Sequence, residues 1–131
     1  MKHLADVVFD RAMAKTGNMI ELATLDRVEQ TVVLVYHVLG LAGGMGLDEM
    51  LDDEMDADPG YLHTIDAFRE IGAKDVAEIL EEAIARKTAI AIGADTSKMR
   101  DFNDLDEEWF SRERNCVAQM ESFVAGNTAD Q

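Results

Sequence analysis

Apolar side chains recur every three or four residues along most of this 131-residue chain, and this spacing constrains its fold more than any other feature. The interval matches one face of an α-helix, whereas a half-buried strand would show strict alternation of apolar and polar residues. The chain has a single proline, Pro59, and many Ala, Leu, Met and Glu residues, which favour helices. The sequence therefore predicts an all-α fold.

Interruptions of this pattern divide the chain into about five to six helices in one compact bundle. Asp, Thr or Pro stands at three of the predicted helix starts, and Gly at four of the predicted ends. The clearest predicted break is a helix-helix connection containing Gly40, Gly43, Gly44 and Gly46. The predicted helices are residues 3–15, a second helix capped by Thr24 and ending near Leu39, residues 47–56, a helix starting at Asp58-Pro59 and ending before Gly72, residues 74–87, and a last helix capped by Asp104 and closed by Gly126.

The second predicted helix is almost continuously apolar, which is typical of a central, buried helix. Tyr36 and Trp109 lie within apolar stripes and are predicted core anchors, and Cys116 is predicted to be a buried, inert thiol. His37 is predicted to be a hydrogen-bonded core histidine. The inward-facing side chains predicted for the first helix are Leu4, Val7, Val8 and Ala12.

Length and composition predict one domain over residues 1–131, with residues 128–131 fraying. Cys116 is the only cysteine, and no charged and apolar leader stands at the N-terminus, so we expect a reduced, cytoplasmic protein. The most apolar run, Val32 to Ala42, is shorter than the roughly 20 residues of a membrane span, so none is predicted. We expect a monomer or a homodimer.

Negative charge is concentrated in one part of the chain. Residues 48–58, DEMLDDEMDAD, contain seven carboxylates and no basic side chain. Residues 48–82 contain thirteen acids and two bases, so they carry −11 of the chain's formal charge of −15. Such crowding opposes compaction through self-repulsion. It indicates either a solvated acidic face, which aids solubility, or a surface that binds a basic partner; nucleic acid itself would be repelled.

At 100° per residue, the acids in residues 47–56 point away from the apolar side of their helix. The acids of the helix from Lys74 form a second exposed ridge, because carboxylates three and four residues apart are about 6 Å from each other. These two sets are the predicted partner-binding residues: Asp48, Glu49, Asp52, Asp53, Asp56, Glu78, Glu81 and Glu82.

The acidic run does not fit a calcium-binding EF-hand loop, which needs Gly at position 6 and Glu at position 12. A loop starting at Asp52 has Ala57 and His63 at these positions, and one starting at Asp56 ends on Ala67. The three histidines are far apart, so no zinc or di-iron spacing is present. The glycine-rich segment lacks the lysine and hydroxyl of a phosphate-binding loop. We therefore predict no metal site, no cofactor and no enzymatic activity.

Three stretches carry a resemblance to a known family. They are Gly43-Gly44, the segment AFREIGAKDVAEIL at residues 67–80, and the last helix with LDEEWF at residues 105–110 and FVAGN at residues 123–127. Together, over roughly residues 30–127, they resemble the bacterial double-stranded-DNA-mimic protein domain, first catalogued as a domain of unknown function. None of the three segments carries catalytic groups, so the resemblance identifies a scaffold.

The resemblance implies an all-helical fold and, from the best-known member, occupation of the DNA-binding surface of a transcription factor. Family members continue the Gly-Gly pair with a polar and aromatic segment containing Gln-Phe-Phe and Asn, whereas residues 45–51 here read MGLDEML. The chain is thus expected to be a DNA mimic that binds a basic, DNA-binding protein such as a transcription regulator. The alternatives are an immunity-type inhibitor of a basic nuclease toxin and a metal-dependent enzyme that uses carboxylates.

Overall fold

A computed structural model of the protein describes residues 3–16, 22–52 and 58–128. These residues form five α-helices and two short 3₁₀ turns, at Leu22–Thr24 and Pro59–Tyr61, and no strand occurs among them. The all-α prediction and the predicted number of helices are confirmed. The helices are α1 (Leu4–Thr16), α2 (Arg27–Asp52), α3 (Leu62–Glu70), α4 (Lys74–Ala91) and α5 (Phe102–Thr128).

Helix α2 is the central element of the bundle, as its apolar sequence predicts, and it packs against each of the other four α-helices. Val32, Val35 and Val38 on α2 are fully buried. Beside them the Trp109 indole meets the Phe68 ring edge to face, with ring centroids 5.5 Å apart. Within the described ranges, α2 is the one helix long and apolar enough to cross a membrane, but half of its most apolar window is buried in the bundle.

The predicted break at the glycines is wrong, because α2 continues through Gly40, Gly43 and Gly44 in helical conformation. Each glycine costs a helix only about 1 kcal/mol relative to alanine, and the packing of α2 on both sides outweighs this penalty. The chain departs from helical geometry only at Gly46, where φ is 81° and ψ is 167°. The result is one kinked helix in place of two helices and a connection.

Three predicted helix starts are displaced along the chain. Helix α2 is capped by Asp26 and not by Thr24: Asp26 Oδ1 accepts the Glu29 N–H at 2.8 Å, and Glu29 Oε1 accepts the Asp26 N–H at 3.0 Å, which is a capping box. Helix α5 starts three residues earlier than predicted, since Asp101 and not Asp104 supplies its cap.

The start at Asp58-Pro59 is a 3₁₀ turn, and α3 follows it from Leu62. Asp58 is fully buried there, and its carboxylate accepts the backbone N–H groups of His63 and Thr64 at 3.0 and 2.6 Å. Asp58 therefore accepts hydrogen bonds from free backbone N–H groups in the first turn of α3, although it lies four residues before the helix begins.

The predicted end of α3 is confirmed, since Gly72 adopts φ 90° and closes the helix with two bonds. The Ala73 N–H donates to the Phe68 carbonyl at 2.8 Å and the Gly72 N–H to the Arg69 carbonyl at 3.0 Å, which is a Schellman motif.

Most of the predicted core residues are buried, including Trp109, Cys116, Val8 and Ala12, but four predictions need correction. Leu4 and Val7 on α1 are about half exposed, and Tyr36 and His37 are half-buried at the edge of the core. The Tyr36 hydroxyl donates to Asp6 on α1. Burial lowers the pKa of His37. The predicted frayed tail was residues 128–131, of which Thr128 is the last residue of α5 and residues 129–131 lie outside the described residues.

Candidate functional site

Three of the predicted partner-binding residues lie on the last turns of α2: Asp48, Glu49 and Asp52, here named the α2 patch. All three are exposed, as predicted, whereas the neighbouring Leu47 and Met50 are fully buried. This division follows from helical geometry, because the apolar side of the segment packs into the bundle and turns the carboxylates outward. Asp53 and Asp56 lie outside the described residues.

One lysine on α4 holds the α2 patch. Lys87 Nζ lies 2.8 Å from Asp48 Oδ1 and is also bonded to Asp52. The hydrogen bonds that Lys87 donates to these two carboxylates raise its pKa, so the lysine stays charged. Glu49 has no basic partner within the described part of the chain. The three carboxylates and Lys87 together carry a formal charge of −2.

The other three predicted residues lie on α4: Glu78, Glu81 and Glu82, here named the α4 patch. All are exposed, and Val76, Leu80 and Ala83 on the opposite side of the helix are buried. Glu82 Oε2 lies 2.9 Å from a guanidinium nitrogen of Arg100, and Glu81 pairs with Arg69. Glu78 lacks a basic partner among the described residues.

The two patches lie on different sides of α4. Lys87, which holds the α2 patch, follows Glu78 by nine residues, and at 100° per residue the two side chains leave α4 in opposite directions. The α4 patch faces away from the bundle, whereas Lys87 turns toward the end of α2. The structure therefore does not bring the six described residues onto one face.

Two carboxylates that sequence reasoning did not select extend the α4 patch through shared arginines. Arg69 on α3 binds Asp66 at 3.7 Å as well as Glu81. Arg100, in the loop before α5, binds Glu108 on α5 as well as Glu82. With them the α4 patch spans α3, α4 and α5, and its five carboxylates and two guanidinium groups carry a formal charge of −3. Because Asp66 and Glu108 are distant from the α4 carboxylates along the sequence, the sequence alone does not indicate this grouping.

Residues 23–127 match the family described as DMP19-like protein. The chain belongs to the DMP19-like protein family. The match covers α2, α3, α4, nearly all of α5 and both acidic patches, and it leaves residues 1–22 and 128–131 outside. This confirms the resemblance drawn over residues 30–127. No curated protein and no solved structure matches the chain.

The other candidate groups in this DMP19-like chain are held in structural contacts. Cys116 is fully buried, and burial together with the nearby charges of Asp75 and Glu113 raises the pKa of its thiol to about 12. This agrees with the prediction of an inert thiol. Across the described ranges, no three His, Cys, Asp or Glu side chains come together as metal ligands. Of the EF-hand positions considered, Asp56 and Ala57 lie outside those ranges.

Proposed function

We propose that the protein is an interaction module that occupies the basic surface of a DNA-binding protein through its two acidic patches, as a DNA mimic. The supporting observation is the α4 patch, in which Arg69 links Glu81 to Asp66 on α3 and Arg100 links Glu82 to Glu108 on α5. Duplex DNA presents a dense row of negative charge that Lys and Arg clusters neutralise. Carboxylates on rigid helices present comparable charge to the same clusters.

The existing ion pairs do not prevent such binding. Arg69 and Glu81 are each nearly half exposed, and so is Glu82. Exposed pairs of this kind contribute about 0–1 kcal/mol each, so a basic partner can exchange its own guanidinium groups for those of the chain. The in-chain arginines hold the carboxylates in fixed positions until the partner arrives.

Family membership supports the fold on which this proposal rests, but it identifies no binding residue. The proposed binding set is therefore the eight residues predicted from the sequence: Asp48, Glu49, Asp52, Asp53, Asp56, Glu78, Glu81 and Glu82. Because screening acts over about 8 Å at physiological ionic strength, only acids that meet the partner directly contribute. The two patches face different directions, so a single flat partner surface would contact one patch. We expect the α4 patch to dominate, since it has more carboxylates.

Affinity capture from the native cell tests the proposal. The immobilised chain should retain a DNA-binding protein at low salt, release it at high salt, and release it when duplex DNA is added. The double variant Glu78→Gln/Glu82→Gln should lose capture, whereas Glu107→Gln/Asp95→Asn, which removes the same charge from exposed positions elsewhere, should retain it. Capture that is insensitive to duplex DNA, or equal for the two variants, would contradict DNA mimicry through the α4 patch.

A further inference from the structure

Two neighbouring cations of α4, Arg86 and Lys87, lie beside one aromatic ring, that of Phe102 at the start of α5. The guanidinium carbon of Arg86 is 5.4 Å from the centroid of this ring, and Lys87 Nζ is 5.9 Å from it. A cation within about 6 Å of a ring centroid is attracted by the negative face of the ring. The Phe102 ring therefore attracts both cations, although two neighbouring positive charges repel each other.

The position of Phe102 is fixed by the first turn of α5. The carboxylate of Asp101 accepts the Asp104 N–H at 2.8 Å, and the carbonyl of Asp101 accepts the Leu105 N–H at 3.1 Å. Leu105 is fully buried, and the half-buried Phe102 ring packs against the same core. The ring is thus part of the packed bundle, and a cation that contacts it is held in place relative to α5.

Arg86 connects the ring to the α4 patch. Its Nη1 donates to the backbone carbonyl of Arg100 at 3.1 Å, and the Arg100 side chain binds Glu82 and Glu108 of that patch. Arg86 Nε is buried and has no acceptor within the described part of the chain. The hydrogen bond to Arg100 and the contact with the ring face together orient the Arg86 guanidinium. This orientation in turn holds the loop from which Arg100 reaches the α4 patch.

Lys87 connects the same ring to the α2 patch. Its Nζ binds two carboxylates of that patch, and its side chain is 26% exposed. Asp106 lies one turn after Phe102 on α5 and accepts the N–H of Leu47, where the turns that carry the α2 patch begin. The start of α5 therefore holds the end of α2 in two ways, directly through Asp106 and through Lys87 by way of the ring.

We propose that Phe102 is a positioning residue that couples the two acidic patches, because it holds Arg86 on the side of the α4 patch and Lys87 on the side of the α2 patch. The patches face different directions, so one partner group cannot contact both, but the ring contacts a cation from each. A partner that draws Lys87 from the ring, or displaces Arg100, changes the contacts of the ring with the other cation. Such coupling is reciprocal. Its consequence for a partner rests on the proposed function, whereas the coupling itself does not.

Trace chemical labelling of the free chain, read by mass spectrometry, tests this role. Phe102→Leu removes the ring and keeps an apolar side chain. In this variant we expect faster acetylation of Lys87 by acetic anhydride and faster modification of Arg100 by phenylglyoxal. Each rate should rise about two- to fivefold, which corresponds to the roughly 0.5–1 kcal/mol of an exposed cation–π contact. Phe102→Met is a second variant without the ring, and circular dichroism verifies that each variant is folded.

Two kinds of control separate positioning from a general loosening of the fold. Phe102→Tyr keeps the ring and should retain the wild-type rates at both labelled residues. Lys15, which pairs with Glu29 at 2.7 Å, and Arg112, which pairs with Asp75 at 3.5 Å, are the matched internal controls, because neither pair involves Phe102. Their rates should be equal in all variants.

Unchanged rates at Lys87 and Arg100 in a folded variant without the ring would overturn the proposal. So would a change at only one of the two, an equal rise at the internal controls, or Phe102→Tyr rates that match those of Phe102→Leu. The labelling uses the chain without a partner, so its outcome is independent of affinity capture. Failure of the wild-type chain to capture a DNA-binding protein contradicts the proposed function, whereas unchanged labelling contradicts the coupling.

Discussion

Asp106 on α5 accepts the backbone N–H of Leu47 on α2 at 2.9 Å, although the two residues are 59 positions apart in the chain. The bond meets a local need, because the kink at Gly46 interrupts the helical hydrogen bonds and the Leu47 N–H requires an acceptor. Asp106 thus caps the last turns of α2 from a neighbouring helix. Since those turns carry the α2 patch, this bond fixes the direction in which Asp48, Glu49 and Asp52 point.

Gly46→Ala should destabilise the protein, whereas Gly44→Ala should not. Gly46 has φ 81° and ψ 167°, a region that only glycine adopts readily, and a Cβ there would lie 3.0 Å from Asp106 Oδ2. We expect a loss of about 1–3 kcal/mol in the free energy of unfolding. Gly44 is helical and open to solvent, so alanine should add about 0.5–1 kcal/mol. Urea unfolding measures both, and equal effects would contradict the strain at Gly46.

Asp106→Ala should lower the free energy of unfolding by about 0.5–2 kcal/mol, the range for loss of a helix cap. Asp106→Asn keeps an oxygen that can accept the Leu47 N–H and should lose less than half as much. Hydrogen exchange at the Leu47 amide provides a local readout, since its protection should fall in the alanine variant. Unchanged protection there would show that the bond does not secure the turn.

The sequence was sufficient to predict the helical fold and the outward direction of the acids, because both follow from local periodicity. The spacing of Leu47 and Met50 places Asp48, Glu49 and Asp52 on the opposite side of α2, and the structure agrees. The predicted break at the glycines is wrong. It was based on the low helix propensity of glycine alone, whereas the packing of α2 against the other helices keeps it helical as far as Gly46.

What the sequence could not provide is the assignment of partners across helices. Glu29 at the start of α2 is fully buried, and Arg11 and Lys15 of α1 pair with its carboxylate. Likewise the grouping of Glu82 with Glu108 depends on Arg100, which lies in a loop with no periodicity to indicate its direction. For Glu29, its capping-box spacing from Asp26 is the one feature of the sequence that indicates a structural role.

Glu29 should make stability depend on pH in acid. Burial opposes its ionisation, but hydrogen bonds from Lys15, the Asp26 N–H and Arg11 outweigh burial and lower its pKa from 4.5 to about 2. A lowered pKa in the folded state means that the stabilisation is complete above pH 4.5 and is lost as the pH falls toward 2. At about 1.4 kcal/mol per pKa unit, it amounts to about 3–4 kcal/mol.

Glu29→Gln removes this charge, so the free energies of unfolding of the variant and the wild-type chain should converge as the pH is lowered from 6 toward 3, values chosen to bracket the ordinary glutamate pKa of about 4.3. Glu107→Gln is the control, because Glu107 is exposed on α5 and should show no such convergence. A difference between wild type and Glu29→Gln that stays constant with pH would mean that the carboxylate is not held ionised by Lys15 and Arg11.

Cys116 should react with thiol reagents only when the protein opens. The thiol is fully buried on α5, and its pKa of about 12 leaves almost no thiolate at neutral pH. Labelling with iodoacetamide at pH about 8, where a free cysteine of pKa about 8.5 reacts readily, should therefore proceed at the rate of unfolding and accelerate with urea. Immediate labelling of the native chain would show that this part of α5 is open to solvent.

Added salt should raise the melting temperature. The chain has 27 acidic and 12 basic side chains, so repulsive interactions between carboxylates are more numerous than attractive ion pairs at the surface. Salt weakens both kinds of interaction. Each exposed pair contributes only about 0–1 kcal/mol, whereas repulsion acts between every pair of carboxylates within the screening length of about 8 Å at physiological ionic strength. Calorimetry across sodium chloride concentrations measures the effect, and Glu78→Gln/Glu82→Gln should reduce its slope because it removes two carboxylates from the α4 patch, which carries a formal charge of −3. A melting temperature that falls with salt would instead mean that the Arg69, Lys87 and Arg100 pairs dominate the electrostatics of the fold.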